Sequence, residues 1–204
     1  MAPLPALLQL PIELRYAIYH HLCREGPICY PFPNSPITSI DSRAPPRQLL
    51  LTCRQLCDEV RSYYYGLATL RFLALGSPRM QRQDMSRGAL LAIREVKKVE
   101  LMLMWNMTVH RATADPASWP WWMNGWVEER AQLLKDEGHK LELVIVSLRD
   151  ASVDASWDKT KRLLAPLQLL KGEVRFEVGE IITVDDVEDS IRRGMEEYIT
   201  SLNT

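Results

Sequence analysis

Two histidines and three aspartates are the side chains in this sequence best suited to moving a proton. His110 follows a strand-like run and His139 precedes one, and either could act as a general base with Asp115, Asp150 or Asp154 to orient it. In a parallel sheet, ligand sites lie outside the carboxyl ends of the strands, which is where His110, Asp150 and Asp154 are expected. Around them the sequence holds no Gly-x-Ser-x-Gly elbow, no His-Glu-x-x-His, no Cys-x-x-Cys and no phosphate cradle, its 9 glycines being scattered. Scattered acids and bases occur by chance in most chains of this size, so the expectation is a protein without catalytic residues, cofactor or metal. A small enzyme using the strand-end cleft is the reading set aside. The thiols agree. Cys23, Cys29, Cys53 and Cys57, with His20 and His21 nearby, fit no common zinc spacing and are expected as free, mostly buried thiols in a reducing compartment.

Recognition is the chemistry that the composition favours. Trp119, Trp121, Trp122 and Trp126 are four of the 6 tryptophans, and Met102, Met104, Trp105, Met107 and His110 run up to them. Aromatic and methionine side chains supply large, adaptable contact area. Trp105, Trp119, Trp121, Trp122 and Trp126 are therefore expected to form a surface for a target protein. Trp122 and Trp126 are one helical turn apart and equally suited to covering the core, which makes Trp119 and Trp121 the favoured contacts.

The elements that must position these residues alternate in type. Strand-like runs occur at Thr69 to Leu75, Val96 to Trp105, Lys140 to Leu148 and Glu173 to Val178. Helical patterns follow each of them, around Gly88 to Arg94, Trp121 to Glu137, Ser156 to Leu170, and after Thr183, which is expected to cap the last helix. In that helix Val187, Ile191, Met195, Tyr198 and Leu202 make the buried stripe. Strands separated by helices point to parallel pairing with right-handed crossovers. The run Leu143-Val144-Ile145-Val146 suits a central strand. Uneven spacing of the strand starts argues against a regular repeat, and an irregular, leucine-rich-repeat-like βα layer is expected.

Before that layer lies a helical pair. Pro11 presets a first turn, and Leu14, Ile18 and Leu22 recur every four residues with Tyr19 beside them. Leu49, Cys53, Leu56, Val60, Tyr63 and Leu67 mark a second helix from about Pro46 to Tyr65, and the two stripes are expected to pack on each other. Between them Pro27, Pro31, Pro33, Pro36, Pro45 and Pro46 predict an irregular loop over residues 24–46. The segment Leu10-Pro11-Ile12-Glu13-Leu14-Arg15-Tyr16-Ala17-Ile18-Tyr19, followed by Leu49-Leu50-Leu51-Thr52-Cys53-Arg54-Gln55-Leu56-Cys57-Asp58-Glu59, resembles the F-box-like proteins common in filamentous fungi. The resemblance covers the first third of the chain. It implies a substrate receptor of a cullin ubiquitin ligase, with a Skp-type adaptor held through Leu10, Pro11, Leu14, Ile18, Tyr19 and Leu22 and the remainder holding the target.

Length and charge are consistent with such a module. The 204 residues suit an α+β or α/β chain divided at residue 67, with a helical F-box-like module over 1–67 and a partner-binding βα layer over 68–204. A composition of 47% hydrophobic and 25% charged residues is that of a folded protein. A net charge of −1 gives no field that would favour nucleic acid or a membrane surface. No apolar run is long enough to span a bilayer and Met1 to Leu10 lacks the form of a signal peptide, so a cytoplasmic or nuclear protein is expected. The alternative to the receptor reading is a structural subunit of a larger, nuclear complex that binds no adaptor.

Overall fold

The computed structural model describes residues 6–23, 25–74, 82–105, 121–152, 155–183 and 188–204, with the side chains of Glu25 and Trp121 left out. A 3-10 turn at Ala6–Gln9 leads into α1 (Ile12–Leu22), then β1 (Glu25–Cys29) and β2 (Ile37–Ser42). Next come α2 (Arg47–Leu50), α3 (Arg54–Leu67), β3 (Thr69–Ala74), α4 (Arg87–Glu95) and β4 (Lys98–Trp105). The chain closes with α5 (Trp121–Glu137), β5 (Leu143–Asp150), α6 (Trp157–Leu164), β6 (Arg175–Thr183) and α7 (Glu188–Leu202). Among the described residues no helix is long and apolar enough to cross a membrane.

The six strands lie in one sheet in chain order. β3 to β6 are parallel, in a register that aligns Thr69, Lys98, Leu143 and Arg175. Because each step moves to the same side, crossovers of one hand put their helices on one face. The contacts α3–α4, α4–α5, α5–α6 and α6–α7 follow that succession. Under this helical layer lies the larger core, where Leu70, Phe72, Val99, Leu101, Leu103, Val144, Val146 and Phe176 meet Ile93, Met123, Leu134, Leu164, Ile191 and Met195. Alternate strand residues point to the other face. There a polar chain crosses four strands: Arg71 Nε donates to Glu100 (2.6 Å), Ser147 Oγ donates to Glu100 (2.6 Å), and the Glu180 N–H donates to Ser147 Oγ (3.1 Å). The last contact needs a bulge in β6 at Gly179, where a Cβ would lie 2.7 Å from Ile145 Cγ2 and closer still to Ser147 Oγ.

Residues 24–46 do not form the expected irregular loop. β1 and β2 form an antiparallel hairpin that adds to β3, so the sheet runs across residue 67 and Ile37 and Ile40 join the larger core. The prolines are tolerated because of where they fall. Pro27 sits in the outermost strand, in the stretch where the register shifts between Glu25 and Ile28, beside Gly26 at φ +129°. Pro31, Pro33 and Pro36 lie in the hairpin connection.

The second helix is also shorter than expected. It breaks at Leu51 to Cys53, where Cys53 is fully extended (φ −160°), leaving the four-residue α2 before α3. Thr183 is the last residue of β6, and residues 184–187, which lead from it into α7 and bear on the expected cap, lie outside the described residues. Ser156 to Leu170 forms α6 and then a 3-10 segment, Ala165–Leu170, where Pro166 interrupts the α-helical pattern.

Candidate functional site

α1 and α3 meet around a second, smaller core of Tyr19, Leu56 and Val60, ringed by Leu7, Leu8, Tyr16, Leu49, Leu50, Cys53 and Tyr63. The α3 stripe therefore packs where its periodicity places it, apart from Leu67, which is exposed. The α1 stripe does not. Leu14 is 53% exposed and Leu22 36%, whereas Tyr19 is fully buried, so α1 turns its Arg15–Tyr19 row toward α3. The reason is chemical. Arg15 Nε and Nη2 donate to the two oxygens of Glu59 (2.7 and 2.9 Å), and the Tyr19 hydroxyl donates to Oε1 of the same carboxylate (3.0 Å). Arg15 also donates to the Leu10 carbonyl, tying the start of α1 to its own side chain. Rings of Tyr16, Tyr19 and Tyr63 cluster beside the fork in tilted and edge-on contacts, Tyr16 and Tyr63 with centroids 4.9 Å apart. A row of leucines cannot satisfy a half-buried carboxylate, and an arginine-tyrosine row can.

The electrostatics follow the geometry. The Arg15 fork holds the Glu59 carboxyl below its ordinary range, assisted by the Tyr19 hydroxyl and opposed by burial. Burial first, and then the Glu59 carboxylate, pushes the Tyr19 hydroxyl up to about 12. Tyr19, expected on the outward stripe of α1, thus belongs to the inside of the helix pair. Pro11, Leu14, Ile18 and Leu22 form the outward row, with Pro11, Leu14 and Leu22 exposed, Ile18 half-buried, and Ile12 exposed beside them.

The tryptophans divide. Trp126 is buried, Trp105 is half-buried against the larger core, and Trp122 is 40% exposed, its ring 6.5 Å from that of Trp105. Trp119 and the side chain of Trp121, the favoured contacts, lie outside the described residues. One residue of this region carried no role in the sequence reading. Arg130 is buried with its guanidinium over the Trp126 ring, 5.6 Å from the centroid. Its signal in the sequence is an arginine in the apolar stripe of Met123, Val127 and Leu134.

Of the acid–base candidates, the two described ones, Asp150 and His139, stand at opposite ends of β5. Asp150, at the carboxyl end of β5, is buried and accepts from the Ser152 N–H (2.9 Å) and hydroxyl, the arrangement of a turn. His139 precedes β5 at the opposite end, so the length of the eight-residue strand, at about 3.3 Å per residue, keeps the two apart. His110, Asp115 and Asp154 lie outside the described residues. Two open clefts of about 530 Å³ are lined by Arg82, Gln83, Met85 and Leu90 and by Leu141, Arg175 and Asn203 among others, and none of their described lining residues is a candidate acid or base. Among the described residues no three His, Cys, Asp or Glu side chains could hold a metal, and the four cysteines are free thiols. Burial raises the Cys23 thiol above its ordinary range, which does not favour a thiolate.

The chain matches no family model, no curated protein and no solved structure.

Proposed function

We propose that this chain is a non-catalytic protein-interaction module of the F-box-like type, which holds a Skp-type adaptor on α1 and a target protein on its βα layer as the substrate receptor of a cullin ubiquitin ligase. The observation that carries the reading is the outward row on α1. Leu14 and Leu22 stay exposed while the polar residues of the two N-terminal motifs, Arg15 and Glu59, are consumed by each other. An apolar row at helical spacing, held on a rigid helix pair, is what a groove on a partner takes. The sheet in chain order, with helices on one face, supports reading this layer as an irregular leucine-rich-repeat-like target-binding part, and Trp122 and Trp105 give it an aromatic contact. Such a receptor works in the cytoplasm or nucleus, without cofactor or metal.

The test is capture of a purified Skp-type adaptor by the intact chain and by a Leu14→Asp, Leu22→Asp variant. Both positions face solvent, so the variant is expected to unfold within about 0.5 kcal/mol of the intact chain. Adaptor binding by the intact chain, and a loss of tenfold or more in the variant, is the expected result. No binding by the intact chain overturns the receptor reading and leaves the structural-subunit alternative.

A further inference from the structure

On α5, charge stands where an apolar residue is expected. Met123, Val127 and Leu134 are buried, and Arg130 lies among them at 2% exposure. Its Nε is buried without a hydrogen-bond partner, and the carboxylate of Glu129 stands 3.9 Å from Nη2, beyond hydrogen-bond reach. The other buried charge of the same helix shows what a satisfied group looks like here. Glu137 is also buried, and Arg94 (2.6 Å) and Arg82 both donate to it. A buried cation that has, among the described residues, an aromatic face and a distant carboxylate for company lowers the stability of the free protein, and positions that break a local rule in this way are where function is sought.

Trp122, Trp126 and Arg130 recur every four residues, so they form one row along α5. Exposure falls along it from Trp122 at 40% to Arg130 at 2%. Helical side chains lean toward the N-terminus, so the guanidinium extends along the row toward the open end at Trp122. We propose that this row is a docking site for an acidic segment of a protein partner, with one aspartate or glutamate carboxylate on the Arg130 guanidinium and an adjoining apolar side chain on Trp122 and Trp105. It rests on the reading that the βα layer receives a target protein. Charge complementarity selects the occupant. A planar guanidinium matches a carboxylate through paired N–H donors, and with Glu129 alongside, a singly charged group is favoured over a doubly charged phosphate. Burial lowers the pKa of Arg130, a penalty that a bound carboxylate offsets.

The experiment compares the full chain with Arg130→Met, using thermal unfolding and tryptophan fluorescence. Sodium acetate is the probe and sodium phosphate the second, both at constant ionic strength held with chloride. Without probe, Arg130→Met is expected to unfold about 2–4 °C higher, because the uncompensated charge is gone. Acetate is expected to change the fluorescence of the intact chain saturably and to bind Arg130→Met at least about tenfold more weakly. A variant that unfolds at lower temperature or fails to fold shows a structural guanidinium and overturns the proposal. So does an acetate response equal in the two proteins, and tighter binding of phosphate than acetate overturns the choice of a carboxylate. Because the titration needs no adaptor, a chain that binds acetate through Arg130 yet captures no adaptor keeps this inference and overturns only the receptor reading.

Discussion

Glu59 is where a single ionisation controls the N-terminal helices. Its carboxyl is held below the ordinary value of 4.5 in the folded chain, first by Arg15 and then by Tyr19, so the unfolded chain binds more protons as the solution is acidified. The stability this contributes is complete above the unfolded pKa and is lost as pH falls through the depressed folded value. A Glu59→Gln variant is therefore expected to be less stable than the intact chain at pH 7. It is also expected to lose less stability between pH 5 and pH 3, a difference read from Tm measured across that range. Parallel Tm profiles would remove Glu59 from the acid-sensitive set. The identities of Arg15 and Glu59 stand in the sequence as letters of two motifs, but their meeting does not, because 44 residues and a hairpin separate them. Periodicity alone picked the leucine row for the buried side of α1, since a hydropathy pattern gives no weight to what a distant carboxylate requires.

At the scale of elements, α6 and α7 show how closely the helical layer is fitted. Gly194 of α7 is buried, and a Cβ there would lie 2.6 Å from Trp157 Cε2, inside the ring. Trp157 in turn tilts against Tyr198, centroids 6.2 Å apart, whose hydroxyl donates to the Leu164 carbonyl. Gly194→Ala is expected to cost about 1–3 kcal/mol in denaturant unfolding and to change the near-ultraviolet circular dichroism as the indole is displaced. An unchanged spectrum and midpoint would mean the two helices slide apart freely. Of the expected α7 stripe, Ile191, Met195 and Leu202 are buried and Tyr198 packs half-buried beside them, Val187 lying outside the described residues; this was legible from spacing, and so were the four parallel strands. The hairpin of β1 and β2 was not. Proline content predicts where a ladder is broken, yet an outermost strand has one side without a partner strand, and Pro27 can face it at a bulge.

The molecule as a whole has to close the two edges of its sheet. β1 does so with Gly26, Pro27 and a register shift. β6 is nine residues long and its edge is covered by Asn203, just after α7: the Asn203 amide donates to the Phe176 carbonyl (3.0 Å) and accepts from its N–H (2.8 Å). Arg192 reaches the Ile181 carbonyl further along (3.4 Å). Asn203→Ala is expected to free the β6 edge and produce association that grows with protein concentration, read by light scattering; a variant as monodisperse as the intact chain would show that the edge is guarded otherwise. The sequence by itself determined the alternation of strands and helices from β3 onward, the packed stripes of α3 and α7, and the absence of a recognisable catalytic motif, because each depends on periodicity or composition within one segment. Only the tertiary structure decided which side of α1 faces out, that a proline-rich stretch becomes two strands, and that Arg130 is buried over Trp126 without a hydrogen-bonded acid. Those outcomes depend on which distant partner a side chain meets, and such partners come together only once the chain has folded.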